Sequence, residues 1–219
     1  MDPDIVYVPL GLDCSVAYQL NKLGLRYCSF PFDWIYISNI LDLIDIIKTD
    51  FNNFLNMGIM DERSLDHSSV IPSDTSKRSN DHSSILADMF DIVELKTNNF
   101  KLYEPTNSTD LCAKYKLIHK TYKLILPHEL YNLQTDISEF LARYQRRIIR
   151  FNQLKKSSKK IVFIRLGLKS EIIYLDSLDK LLKTEFGMNT RLIFIDSTKY
   201  HTSSWHRNEI NWLELLNIS

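Results

Sequence analysis

Cys14 is the residue of this chain whose type and place point most directly to chemistry. It follows a short apolar run, Ile5-Val6-Tyr7-Val8-Pro9-Leu10, and a turn, Gly11-Leu12-Asp13. It precedes Val16, Ala17, Leu20 and Leu23 at helical spacing, with Gly24 as the stop. That order predicts a strand, a tight turn and a helix, with the thiol at the helix start. Unpaired backbone N–H groups and the helix dipole stabilise an anion there and lower a thiol's pKa. The same N–H groups could hold an oxyanion. A small buried hydrophobe fits the same place, so an inert Cys14 stays open. Three more residues fall at the ends of predicted strands: His128 after the run 122–126, Arg165 near the end of 161–166, and Asp196 after 191–195. Ligands of open α/β sheets bind beyond the carboxyl ends of the strands. The four residues therefore converge if those strands are parallel neighbours, with Gly11, Ser15 and Arg165 framing the binding place.

Other chemistries can be tested on the same residues. A phosphatase loop needs Arg six positions after its cysteine, and that position is Leu20. Neither GxGxxG nor a P-loop is present. Cys28 and Cys112 lack the setting of Cys14, and three widely spaced cysteines do not read as a disulfide framework. No CxxC or HxxxH pair suggests zinc, and no metal or organic cofactor is called for. Ser15 is a rival nucleophile for an esterase. Among the histidines, His67 and His82 lie in a polar stretch, His119 in a basic strand, and His201 and His206 in a loop before the last helix. His128 alone directly follows an apolar strand, beside Glu129.

The elements that must position these residues are legible in the pattern. The chain has 219 residues, 44% hydrophobic and 25% charged, enough for one full core and against wholesale disorder. No apolar run reaches membrane-span length, and the acidic start is unlike a secretory leader, so a soluble, cytoplasmic protein is expected. Ile40, Leu43, Ile44, Ile47, Phe51, Phe54 and Leu55 make one helical stripe, with Ser38 as N-cap. Residues 62–84, eight of them Ser, read as a polar, flexible insertion, and 85–100 as helical at its start. A long helix buries Ile137, Phe140, Leu141, Tyr144, Ile148 and Phe151, with Arg143, Arg146, Arg147 and Arg150 on the other side. Strands alternate with helices, so the expected fold is α/β: one domain, a mixed or mostly parallel sheet flanked by helices.

Net charge is zero overall, but residues 1–100 carry 7 basic and 15 acidic side chains, and 101–219 carry 20 and 12. The reading favoured is that the two halves complement each other within one fold. The alternative is an acidic partner for the second half.

The block Pro9-Leu10-Gly11-Leu12-Asp13-Cys14-Ser15-Val16-Ala17-Tyr18-Gln19-Leu20, then Leu23-Gly24-Leu25-Arg26 and Phe30-Pro31-Phe32-Asp33-Trp34-Ile35, closely resembles one family. Its uncharacterised members, from bacteria and large DNA viruses, are described as "putative papain-like cysteine peptidases". Leu126-Pro127-His128-Glu129, 143–148 and 162–165 are also similar. The resemblance implies a nucleophile at Cys14 and a base at His128, in the papain order. Asp33 or Asp196 could orient the imidazole. It also raises an α+β papain-like fold as the alternative architecture. The leading expectation is a cysteine hydrolase acting on an amide or isopeptide of a protein or peptide, without a cofactor. The runner-up is a non-catalytic module whose basic face, Arg143 to Arg150 with Lys155, Lys156, Lys159 and Lys160, holds an acidic partner or nucleic acid. Nucleic acid is not expected under the leading reading, nor is a membrane.

Overall fold

A computed structural model describes residues 4–55, 82–94, 115–130, 132, 136–200 and 205–217. Along the chain these form β1 (Ile5–Pro9), α1 (Ser15–Lys22), α2 (Ile40–Lys48), α3 (His82–Met89), β2 (Phe90–Glu94), β3 (Tyr115–His119), β4 (Ile125–Leu130), α4 (Asp136–Gln153), β5 (Lys160–Gly167), α5 (Leu175–Phe186), β6 (Thr190–Asp196) and α6 (Trp212–Leu216).

β1, β5 and β6 form a parallel sheet in the order β1-β5-β6. Pro9 lies opposite Ile164, and Gly167 opposite Asp196, so the carboxyl ends of all three strands share one edge. Their near-continuous apolar runs follow from burial on both faces. On one face Tyr7, Val162, Ile164, Ile193 and Ile195 pack against Val16 and Leu20 of α1 and Trp212 and Leu216 of α6. On the other, Val8, Ile161 and Phe163 join a larger core with α2, α4 and α5.

That larger core also takes in Phe90, Leu117, Leu126 and Leu130 of a second sheet, so one apolar interior spans both. The second sheet is antiparallel, in the order β2-β3-β4. The architecture is thus α/β, with a parallel sheet and a separate antiparallel one rather than a single mixed sheet. One placement is corrected. The strand expected to stop at Leu126 runs on through Pro127 to Leu130, so His128 lies inside a strand and not beyond one. Pro127 is tolerated because β4 is at the sheet edge, where a missing N–H breaks no ladder bond. The sheets are joined by the segment after Phe30. Tyr36 exchanges both backbone bonds with Ile125 (2.8 and 2.9 Å), and the next residue, Ile37, donates to Leu12 O at 3.2 Å.

Smaller differences have local causes. α2 starts at an Asn39 cap, whose side chain accepts from Leu41 N–H at 3.1 Å, rather than at Ser38. It ends at Lys48, since Asp50 and Phe51 turn left-handed (φ 50° and 64°), yet Phe51, Phe54 and Leu55 still reach the core. Residues 82–84, read as insertion, begin α3. The rest of that insertion, like Cys112 and His201, lies outside the described residues.

His119, expected in a basic strand, is a core residue at 2% exposure. Its ring stacks on Phe54 and packs edge-on against Phe90. Nε2 lies 3.2 Å from Phe54 O, and Nδ1 accepts from Thr121 and Tyr122 N–H at 3.2 Å. A carbonyl at one nitrogen and N–H donors at the other select the neutral imidazole with its proton on Nε2. Burial lowers its pKa, against the raising effect of its bonds to backbone. The unfolded chain takes up this proton first, near pH ~6.5. His119 therefore contributes stability that is complete above that pH and declines as pH falls through the lower folded-state value. Unfolding free energy measured from pH 7 to 5 should lose part of its slope in His119→Asn. Equal slopes would show that the ring is not held neutral.

Candidate functional site

Cys14 is the N-cap of α1, at the carboxyl edge of the parallel sheet, and is 9% exposed. Its side chain does not cap the helix. Asp13 does that instead: its Oδ1 accepts from Ser15 N–H at 2.9 Å and from Ser15 Oγ–H at 2.5 Å. Holding the first turn thus falls to Asp13. Ser15, by contrast, is fully buried and donates to Asp13, a poor setting for the esterase alternative.

The turn before Cys14 is unusual. Gly11 and Leu12 both have left-handed backbone, φ 76° and 77°. At Gly11 the lack of a side chain is required twice, because a Cβ there would sit 2.5 Å from Ile37 Cγ2. Leu12 has no such freedom, and a bulky residue at positive φ is strained. Beneath the turn lies Arg165, fully buried. It donates through Nε and Nη2 to both carboxylate oxygens of Glu171 (3.0 and 2.7 Å), through Nη1 to Leu10 O (2.9 Å) and through Nη2 to Ile37 O (3.0 Å). Four of its five N–H donors thus meet protein acceptors.

Asp33 is also fully buried. Its Oδ2 accepts two bonds from Arg26 (2.9 and 2.7 Å), and the Arg26 guanidinium lies over the Trp34 ring. Two of the blocks quoted above, one ending in Arg26 and the other containing Asp33 and Trp34, are thus tied to each other. Burial pushes the Asp33 carboxyl up, against the pull of Arg26 first and Arg147 last. Its Oδ1 has no hydrogen-bond partner among the described residues. Phe32 O and Ile37 both flank Gly11, so the segment 32–37 wraps the turn that leads to Cys14. Asp33 lies three residues before Tyr36 and His128 three after Ile125. The antiparallel Tyr36–Ile125 bridge carries both toward the same end. The side chains of His128 and Glu129 lie outside the described part of the chain. Asp196 ends β6 and caps the next turn, accepting from Thr198 N–H and Oγ–H (3.0 and 2.6 Å). The Thr198 hydroxyl bond holds its carboxyl below the usual range, with the Thr198 amide, Lys199 and Lys169 adding to the effect.

The parallel edge thus gathers Gly11, Cys14, Ser15, Arg165 and Asp196, as the strand order required. His128 comes from the other sheet. The sequence reading missed a further neighbour, the segment before α6. Arg207 meets Asp13 at 3.4 Å, the His206 ring packs 4.8 Å from that of Tyr18, and Gln19 Nε2 donates to His206 O and to Asn208 Oδ1. Tyr18 is one turn on from Cys14, on the same helix face. No local pattern links residues nearly two hundred positions apart. Asp13 alone was recoverable, as an acceptor placed two residues before a helical N–H.

The basic face needs one correction. Arg147, expected on the outward side of α4, is 6% exposed, lies over the Tyr144 ring and acts on Asp33. Lys155 pairs with Asp50 and Glu185 (2.5 and 2.8 Å). Lys155–Asp50 and Arg207–Asp13 join the basic second half to the acidic first half, as charge complementarity within one fold predicts, whereas Glu185 belongs to the second half itself. Among the described residues no group of three His, Cys, Asp or Glu side chains is arranged to hold a metal ion, and no helix is long and apolar enough to cross a membrane.

The family described as "Putative papain-like cysteine peptidase" matches residues 5–199, a span that includes Cys14, Asp33, His128, Arg165 and Asp196 and stops short of His206. An uncharacterized protein of Acanthamoeba polyphaga mimivirus is 27% identical, with 99% of each chain covered. No solved structure matches.

Proposed function

The chain belongs to the family described as "putative papain-like cysteine peptidase", and from that premise we propose that it is a cysteine hydrolase whose Cys14 thiolate attacks an amide or isopeptide carbonyl. The observation that carries this reading is the place of Cys14: N-cap of α1, at the carboxyl edge of the parallel sheet, with its cap role taken by Asp13. N–H groups of the first turn of α1 stabilise the thiolate and, after attack, the oxyanion. His128 takes the thiol proton and returns it to the leaving amine, and water then hydrolyses the thioester with the same imidazole as base. Asp33 is the carboxylate best suited to orient His128, because its Oδ1 accepts no bond from the described residues and it lies three residues before Tyr36, which bridges Ile125 of β4. The alternative orienter, Asp196, already accepts two bonds from Thr198.

A second reading gives the imidazole role to His206, favoured by the packing of its ring on Tyr18, one turn from Cys14. One experiment tests both. Iodoacetamide at pH 6 should modify Cys14 well before Cys28 and Cys112, since an ordinary thiol titrates near ~8.5. His128→Ala should move the Cys14 profile to higher pH by removing the cation that stabilises the thiolate. A shift in His206→Ala alone would transfer the role to His206. Three cysteines reacting alike in the folded protein would end the hydrolase reading.

A further inference from the structure

We infer that the buried Arg165–Glu171 pair is a positioning device for Cys14, holding the Gly11-Leu12 turn in a backbone that Leu12 would not adopt by itself. The guanidinium reaches the carbonyl of Leu10, which precedes the turn, and that of Ile37, which packs against it, and Ile37 N–H donates to Leu12 O. Arg165, Leu10, Leu12 and Ile37 thereby close a ring around Gly11. Inside it sit two successive left-handed residues, one of them a leucine. The next residue but one is Cys14, so the direction in which the turn leaves the ring sets where α1 begins and where the thiol sits.

The strand end is shaped to admit the partner. A Cβ on Gly167 would lie 2.2 Å from Glu171 Oε2, so glycine there gives the carboxylate its room. Two of the chain's five glycines thus serve this one arrangement. An ion pair that only filled core volume would be replaceable by apolar side chains. This one directs two donors to backbone carbonyls at the turn that leads to the candidate nucleophile. Arg165 is fully buried, so its action is on geometry. The inference rests on the hydrolase reading only in taking Cys14 as the working thiol.

The test uses Arg165→Lys, which keeps the charge but loses the fork, and Glu171→Asp, which shortens the anchor by one methylene. Two quantities are read: the rate of Cys14 alkylation against pH, with Cys28 as internal control, and hydrogen exchange at the Ile37 amide. In variants that remain folded, Cys14 alkylation should slow by about tenfold or more, or its profile should move to higher pH, while Cys28 is unchanged. The Ile37 amide should also lose protection ahead of the β5 amides. Folded variants with the wild-type Cys14 profile and full Ile37 protection would overturn the inference. If both variants unfold, the wild-type protein decides: Ile37 exchanging only with global unfolding supports the clamp, and exchange through easy local opening overturns it. An unreactive wild-type Cys14 would instead remove the hydrolase reading, and the Ile37 readout would still report on the clamp.

Discussion

Glu171→Ala should cost about 3–5 kcal/mol of folding stability, the usual result of stranding one member of a buried ion pair. Arg165 is fully buried and Glu171 is 4% exposed, so no water replaces the lost carboxylate. Two of the four hydrogen bonds of the guanidinium vanish, and its charge is left facing two neutral carbonyls. Against a typical total of about 5–15 kcal/mol, that is a large share, and denaturant unfolding should show a clearly lowered midpoint. Glu171→Gln should cost less, because an amide oxygen still accepts and the shape is kept. Gly167→Ala should approach the alanine variant by a different route, since its methyl group would displace the same carboxylate. A midpoint unchanged in Glu171→Ala would show that the pair is solvated and that the turn before Cys14 is held by something else.

The second large effect belongs to Arg147. Arg147→Glu should also cost about 3–5 kcal/mol, whereas Arg146→Glu, one position away on the exposed side of α4, should stay within ~0.5 kcal/mol. Arg147 is 6% exposed, its guanidinium lies 4.7 Å from the Tyr144 ring, and it is among the cations that oppose the upward push of burial on Asp33. Reversal would place a second carboxylate in the region of a buried one and discard the cation–aromatic contact. Chemical unfolding of the two variants side by side reads the contrast. Equal, small losses would place Arg147 in solvent, on the outward face that its spacing suggests. That outcome would also restore a continuous basic surface and favour the binding-module reading.

The contrast between Arg146 and Arg147 illustrates what periodicity conveys. A 3.6-residue repeat located the buried stripe of α4, and Ile137, Phe140, Leu141, Tyr144 and Phe151 are all in the core. It put Arg147 on the outward side, and the neighbouring Asp33 and Tyr144 draw that arginine inward. The strand runs 5–8 and 161–166 were equally legible, because a strand buried on both faces must be apolar at nearly every position. Their common direction, and hence the edge that gathers Gly11, Cys14, Arg165 and Asp196, was left conditional by strand–helix alternation and was decided by the parallel pairing of β1, β5 and β6.

What local pattern did not contain was any contact between segments far apart in the chain. Cys14 at a helix start was determined by the sequence itself: apolar run, Gly-containing turn, helical spacing, each a short-range consequence of backbone sterics and amphipathicity. The assignment of His128 to a second sheet, the joining of Tyr36 to Ile125, and the approach of Arg207 to Asp13 depend on packing across long loops. The same holds for Arg165. As a residue type at a strand end it reads as a binding group open to ligand. The tertiary structure turns its donors to Glu171, Leu10 and Ile37, because a guanidinium excluded from water must find acceptors within the protein.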